Sequence, residues 1–317
     1  MENYGFKLDE VTLSNLKRLS FRHSVISEER MLEISYAAES AARTAGALMS
    51  EGFTVYDALA AISGGIGFDT SSVHEDCLEE SRDKLLSLSS IMAEADKACF
   101  SALFCQFLEK EDIGFSEDAF LSCADIPESF IYVRNAFSDE AYDVFSQDFT
   151  DPKVKYARDF RECIGAVAGG ECGYCLLPLE ERGGARLHGV CELIYSSDLR
   201  ICAVTPVFGP GADADLKYCL VSSGYMLSQR KEGDDRYLEL RLGADGSYAL
   251  STLLTVAGYF GHTVYRVNTM SFASGEVPRS CYSVVIRDEQ KDFAPLLTYL
   301  SLFAEDVTFV GVYKNLE

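Results

Sequence analysis

Apolar residues recur at helical spacing from the start of the readable pattern to about Lys110. Met31, Ile34, Ala38, Ala41, Ala45 and Leu48 form one stripe, and Leu85, Leu88, Ile91, Ala95, Ala98 and Ala102 form a second. Both stretches predict amphipathic helices. Gly64-Gly65-Ile66-Gly67 breaks the pattern between them, and Asp69-Thr70-Ser71-Ser72 supplies cap residues for the second helical stretch. Charge at Glu109-Lys110-Glu111-Asp112 and then Ile126-Pro127-Glu128-Ser129 marks a boundary. From Phe130 the texture changes to short β-branched and aromatic runs. Phe130–Val133, Val154–Ala157 and Gly173–Pro178 predict strands, and Asp139–Phe145, Phe160–Ala168 and Val190–Tyr195 predict helices between and after them. Strands come next at Leu199–Val207 and Tyr218–Ser222. After the charged turn Lys231–Asp235 the order becomes strand, helix, strand, strand, helix, strand, the split βαβ plan of ferredoxin-like units.

Composition narrows the function classes. The chain has 317 residues, 48% of them hydrophobic, with 28 Lys+Arg against 50 Asp+Glu and a net charge of −22. A folded protein of two or three domains is expected. Tracking nucleic-acid phosphates or an anionic membrane surface requires clustered Lys and Arg, which this chain lacks, so neither partner is expected. No apolar run approaches the ~20 residues of a membrane span, and Met1-Glu2-Asn3-Tyr4-Gly5 lacks a signal-peptide pattern. The expected location is cytoplasmic. The 11 cysteines are irregularly spaced and read as reduced, buried thiols.

Two stretches resemble known families. Gly173-Tyr174-Cys175-Leu176-Leu177-Pro178-Leu179-Glu180-Glu181-Arg182, then His188-Gly189-Val190-Cys191-Glu192-Leu193-Ile194 and Asp198-Leu199-Arg200-Ile201, is similar to the prephenate dehydratase pattern. In that pattern a strand ending Leu-Pro-Ile-Glu-Asn-Ser leads through a glycine to a helix and another strand. Asn135-Ala136-Phe137-Ser138-Asp139-Glu140-Ala141 stands where that family has Gly-Thr-Phe-Ser-Glu-x-Ala. Gly246-Ser247-Tyr248-Ala249-Leu250 through Gly261-His262-Thr263-Val264 to Val310-Gly311-Val312-Tyr313 resembles the ACT regulatory domain located C-terminal to the dehydratase. The resemblance spans about Phe130 to Glu317. It implies an α+β, partly α/β multidomain chain: an α-helical domain over 1–125 in the position of a chorismate mutase, a single dehydratase-like lobe over 130–230, and an ACT-like ferredoxin-like domain over 235–317. A homodimer, an aromatic amino acid or prephenate or chorismate as ligand, and no cofactor are implied with it.

The departures from the family pattern carry as much information. The catalytic Thr-Arg-Phe strand of the dehydratases has its equivalent in Leu216-Lys217-Tyr218, and leucine has no hydroxyl to donate. The family inserts a whole second lobe before that strand, whereas here only Thr205–Asp215 lies there. A cleft that excludes water needs two walls, so a catalytically degenerate dehydratase lobe with a regulatory role is expected. Its remaining pocket is assigned to Asn135, Ser138, Glu180, Arg182 and Lys217, and the effector loop to Tyr248, Ala249, Leu250, Gly261 and Asn268. Phenylalanine biosynthesis is the implied pathway. If mutase chemistry persists in the helices, Arg30 and Gln106 are the candidates to hold a dicarboxylate and its ether oxygen; the other alternative is a non-catalytic subunit that binds a partner enzyme.

Other groupings have plainer readings. Cys172-Gly173-Tyr174-Cys175 has redox or zinc-knuckle spacing, but no second pair accompanies it, and strand geometry predicts that the two thiols face opposite ways. Four separate histidines give no metal site. Gly209-Pro210-Gly211 is a turn, not a phosphate cradle. Of the adjacent Glu180 and Glu181, one is expected inward and one solvated.

Overall fold

An alanine stripe sets the first packing contact. The computed structural model describes residues 28–64, 75–89, 92–111, 113, 115–121, 126–181, 184–208, 216–224, 235–272, 279–289, 291–304 and 306–315. Helix α1 (Glu28–Ser50) buries Ile34, Ala37, Ala38, Ala41, Ala42, Ala45 and Leu48. These small side chains admit α4 (Glu94–Lys110) closely against α1. Thr54 opens α2 (Val55–Ser63) with a capping box to Asp57, and α3 (Glu75–Ser89) is the next helix. The second predicted stripe is two helices rather than one, because α3 stops at Ser89 and α4 begins at Glu94. Acidic Glu94 and Asp96 in the first turn of α4 favour a fresh helix start there. The cap proposed for Asp69–Ser72 lies outside the described residues, as does Gly209-Pro210-Gly211.

The chain divides into two compact units, and the division does not follow sequence order. One comprises Met1–Phe120, Gly246–Thr263 and Lys291–Asp306; the other comprises Leu121–Asp245, Val264–Gln290 and Val307–Glu317. The first unit is helical. Besides α1 to α4 it holds the single turn α5 (Glu117–Phe120), and it takes in two helices from the C-terminal third of the chain. Its core is aromatic: Phe104, Phe115 and Phe120 meet edge to face, and Phe100 stacks on Phe104. A hydroxyl triad of half-buried Ser40 with buried Thr44 and Ser81 ties α1 to α3 at 2.8–3.0 Å.

The second unit carries both sheets. Strands β1 (Ser129–Tyr132), β2 (Lys153–Tyr156) and β3 (Tyr174–Glu180) are parallel neighbours, joined through α6 (Ala136–Phe145) and α7 (Phe160–Ala168). After β3 come α8 (His188–Ser196), β4 (Arg200–Val207) and β5 (Leu216–Ser222), and the sheet order is β2-β1-β3-β5-β4. Helices α7 and α8 pack on one face with Ile131, Leu177 and Val221, and α6 packs on the other with Phe130, Tyr174 and Leu220. Strands β4 and β5 pair antiparallel, with Val207 opposite Leu216, so only residues 208–215 connect them.

The remaining elements are β6 (Arg236–Gly243), α9 (Leu250–Tyr259), β7 (Thr263–Phe272), β8 (Arg279–Arg287), α10 (Ala294–Phe303) and β9 (Val307–Lys314). Helices α9 and α10 are the two that belong to the helical unit, where α10 packs on α4 and α2. The four strands form a second sheet ordered β7-β8-β6-β9, the order of a split βαβ plan. The two sheets meet where β9 runs beside β4 through a parallel bridge from Val204 to Asn315. Gly311 makes that approach practicable: a Cβ there would lie 2.2 Å from the Ile201 carbonyl oxygen. The protein is an α+β multidomain fold.

Candidate functional site: a buried ionic centre between two sheets

Glu180 ends β3 at an irregularity. The β3–β5 register shifts between Pro178 and Glu180, and Leu179 and Glu180 are both buried, as most of this strand is, because both faces of the sheet are covered. Glu181 is exposed, so the adjacent carboxylates divide as the extended backbone requires. Past Glu181 the chain turns tightly. Glu181 N–H donates to Ala185 O, and Gly184 sits at φ +82°, a conformation that suits glycine. The turn returns Arg186 to a bridge position opposite Glu180.

Arg186 is 6% exposed and Glu239, on β6, is 0% exposed. Arg186 Nη2 donates to Glu239 Oε2 at 2.7 Å, and its Nε lies 3.5 Å from Glu180 Oε1. Three hydroxyls complete the shell of Glu239. Tyr313 donates to Oε2 at 2.9 Å, while Tyr195 and Ser283 donate to Oε1 at 3.0 and 2.9 Å. Burial works against the charge of Arg186, but the carboxylate of Glu239, with Tyr313 and Glu180, holds its pKa well above the ordinary value. Burial, reinforced by Glu239, pushes the Tyr195 and Tyr313 phenols well up, so they remain O–H donors.

Glu180 gathers further cations. Arg266, on β7, donates from Nη1 to Glu180 Oε1 at 2.6 Å and to Gly184 O at 3.1 Å, and Lys217 Nζ lies 3.9 Å from Oε2. Among the described residues, two carboxylates therefore share three cations, an excess of one positive charge inside a chain of net −22. Arg186 Nε and Nη1, Glu180 Oε2 and Asn315 Oδ1 are buried without a hydrogen-bond partner among the described residues. All three of these residues line one small cavity, with Tyr237 and Tyr265 also in its wall.

The other expected site residues lie elsewhere. Asn135 is the N-cap of α6, and Ser138 closes its capping box, so both serve the helix start; neither lines the cavity. Arg182 lies outside the described residues. Ala249 is the N-cap of α9, with Tyr248 before it and Leu250 opening the helix; Gly261 lies just past the helix at φ +76°. These four belong to the helical unit, whereas Asn268 lies on β7 in the other, with a buried Nδ2 that lacks a partner among the described residues. Arg30 is held by Asp96 at 3.4 Å and Glu33 at 3.1 Å, and Gln106 is half-buried on α4. His188 is at the start of α8 and exposed. Cys172 and Cys175 share one core instead of facing opposite ways, because Cys172 precedes the first residue of β3 and strand alternation does not reach it. Both are free thiols. Among the described residues no cluster fits a metal ion, and no helix is long and apolar enough to cross a membrane.

Sequence reasoning identified Glu180 and Lys217 but missed Arg186, Glu239, Tyr313 and Arg266. Glu239 sits in Tyr237-Leu238-Glu239-Leu240-Arg241-Leu242, whose alternation reads as a solvated polar face. That face is covered. Only the glycine turn that folds Arg186 back on Glu180 left a local signal.

No family model matches the chain, and no curated protein does either. Solved structures give distant fold similarities. A prephenate dehydratase from Streptococcus mutans aligns with a TM-score of 0.48 at 12% identity, over 60% of this chain and 99% of that one. A prephenate dehydratase in complex with L-Phe from Arthrobacter aurescens aligns at 0.42 and 14%, over 58% of this chain and 89% of that one. GqqA, described as a novel type of quorum-quenching acylase, aligns at 0.44 and 20%, over 59% and 95%.

Proposed function

We propose that this chain is a prephenate-dehydratase-related protein of phenylalanine biosynthesis that senses a small molecule and does not dehydrate prephenate. The observation that carries this reading is the β4–β5 hairpin. Pairing of Val207 with Leu216 leaves eight residues where the dehydratases place a second lobe, so one wall of a water-excluding cleft is lacking. Two further features support it. Leu216 occupies the position of the catalytic threonine, and the Glu180 carboxylate is engaged by Arg266, Arg186 and Lys217 instead of lying free for acid–base work. The β7-β8-β6-β9 order supports an ACT-like regulatory part.

With this reading go domains at 1–125, 130–230 and 235–317, a homodimer in the cytoplasm, and an aromatic amino acid, prephenate or chorismate as ligand. Mutase chemistry in the helices has less support, because the guanidinium of Arg30 is already held by two carboxylates. The test pairs a prephenate turnover assay with a thermal-shift panel of phenylalanine, tyrosine, tryptophan, chorismate and prephenate. No turnover with a raised midpoint for at least one ligand is the expected result. Steady conversion of prephenate overturns the reading.

A further inference from the structure

We infer that β7 is an interface strand, and that a second copy of this chain pairs with it antiparallel across a two-fold axis at Val267. This interface gives the homodimer of the sensing reading a definite surface, and rests on that reading only for the existence of a second copy.

The sheet edges are protected unequally. Strands β4 and β9 run beside one another, while β2 and β7 have no strand on their outer side among the described residues. An unpaired edge offers a row of N–H and C=O groups to any other strand, and proteins blunt such edges by shortness, lysine or proline. Strand β2 is blunted in two of these ways: it has four residues, and Lys153 and Lys155 are both exposed. Strand β7 has none of these protections. Its ten residues, Thr-Val-Tyr-Arg-Val-Asn-Thr-Met-Ser-Phe, make it about twice the usual length. It holds no Lys, Asp, Glu or Pro, and its single charge, Arg266, is engaged by Glu180.

Alternation divides β7 into two faces. Met270 is buried and Arg266 and Asn268 are half-buried, whereas Tyr265, Val267, Thr269 and Ser271 are exposed, Tyr265 at 49% and Val267 at 39%. The exposed face thus carries an aromatic ring, a β-branched apolar side chain and hydroxyls, with no charge, in a chain whose residues are 25% charged.

Neutrality selects the occupant. Two copies each carry a net charge of −22, so they approach at least cost where neither presents a carboxylate. A basic peptide would instead gain from acidic residues along the strand, and β7 has none. Pairing about Val267 sets Val267 against its own copy and Tyr265 against the partner's Thr269, once on each side of the axis. Apolar and aromatic–β-branched pairs of this kind stabilise antiparallel ladders. The same register sets Arg266 against the partner's Asn268, so no like charges face each other.

The test uses the full chain and sedimentation velocity over a range of concentrations. Two double variants alter only exposed side chains: Tyr265→Lys with Thr269→Lys, and Tyr265→Glu with Thr269→Glu. The wild type is expected at twice the 35.0 kDa of one chain. Each double variant sets like charges opposite one another on both sides of the axis, which is expected to weaken dimerisation about tenfold or more. Mixing the two variants is expected to restore the dimer through Lys–Glu pairs. Val267→Lys, a single exposed substitution that meets itself across the axis, gives the same loss should a double variant fail to fold. Dimers that persist unchanged in every variant overturn this interface and leave the homodimer standing. Mixed variants that stay monomeric overturn the Val267 register. A wild type that stays monomeric, with or without a bound peptide, overturns interface and homodimer together, while ligand sensing is decided separately by the turnover and thermal-shift assays.

Discussion

Replacing Arg186 by Met removes the cation that hydrogen-bonds Glu239, and the consequence can be bounded from the geometry. Met preserves much of the apolar stem, so packing changes little. The main loss is the 2.7 Å charge-assisted bond to a carboxylate that is 0% exposed; the 3.5 Å pair with Glu180 goes too, but Glu180 keeps Arg266 and Lys217. Breaking a buried pair by removing one partner costs about 3–5 kcal/mol, because the remaining charge is left uncompensated. Here Tyr313, Tyr195 and Ser283 still donate to Glu239, which places the expected loss near the lower end, about 3 kcal/mol. At about 2.1 cal/mol/K of unfolding entropy per residue, a chain of 317 residues would show that as a fall of about 4–5 °C in Tm. Urea unfolding of Arg186→Met, Glu239→Gln and the double variant gives a closed cycle. Once the amide has replaced the carboxylate no charge of this pair remains buried without its partner, so the double variant is expected to lose about 1 kcal/mol. A loss under about 1 kcal/mol for Arg186→Met, or a double variant no more stable than that single variant, would refute the view that this pair is an interdependent charge unit.

Three other substitutions or conditions probe different parts of the molecule. Gly311→Ala forces a methyl to within 2.2 Å of backbone at Ile201, so β4 and β9 must separate; a loss of about 3 kcal/mol in urea unfolding is expected. Asn135→Ala removes the cap of α6 and is expected to cost about 1 kcal/mol in urea unfolding. Burial pushes the thiols of Cys99, Cys105, Cys163 and Cys191 up to about 12 from 9.0. Between those values the unfolded chain releases protons that the folded chain retains. Stability should therefore hold below pH 9 and fall as pH rises towards 12, by up to about 1.4 kcal/mol per pH unit for each thiol. Chemical unfolding at about pH 8 and about pH 10, on either side of the unfolded thiol value, checks the sign.

Local pattern carried the elements of the second half of the chain almost residue by residue, because strand and helix periodicities differ sharply and glycine, proline and charge punctuate them. The predicted strand Leu199–Val207 is β4 at Arg200–Val207, and the predicted helix Phe160–Ala168 is α7. What the pattern did not carry is long-range. Helices α9 and α10 lie among residues 235–317 in sequence, yet they count with the N-terminal helices as one compact unit. Their apolar faces announce that something covers them without naming it. Glu239 failed for the same reason: alternation assigns it to a face, and only the tertiary fold decides that this face is closed. Cys172 failed differently, through a strand boundary placed too early, since period-two reasoning has no meaning before the strand begins.

The buried centre also ties the degenerate-lobe argument to the fold. A carboxylate at the end of β3 in an open cleft keeps water as a partner and can exchange protons. Enclosed, the same group needs permanent counter-charges or must lose its charge. Glu180 has acquired them from three directions: Lys217 across the strand pair, Arg186 from the glycine turn and Arg266 from β7. These contacts make it the point at which the glycine turn, β5 and β7 are tied together. Three ion pairs hold such a group in one place, whereas dehydration requires an acid at the departing hydroxyl. The proposed loss of dehydration therefore rests on these ion pairs as well as on the short β4–β5 connection.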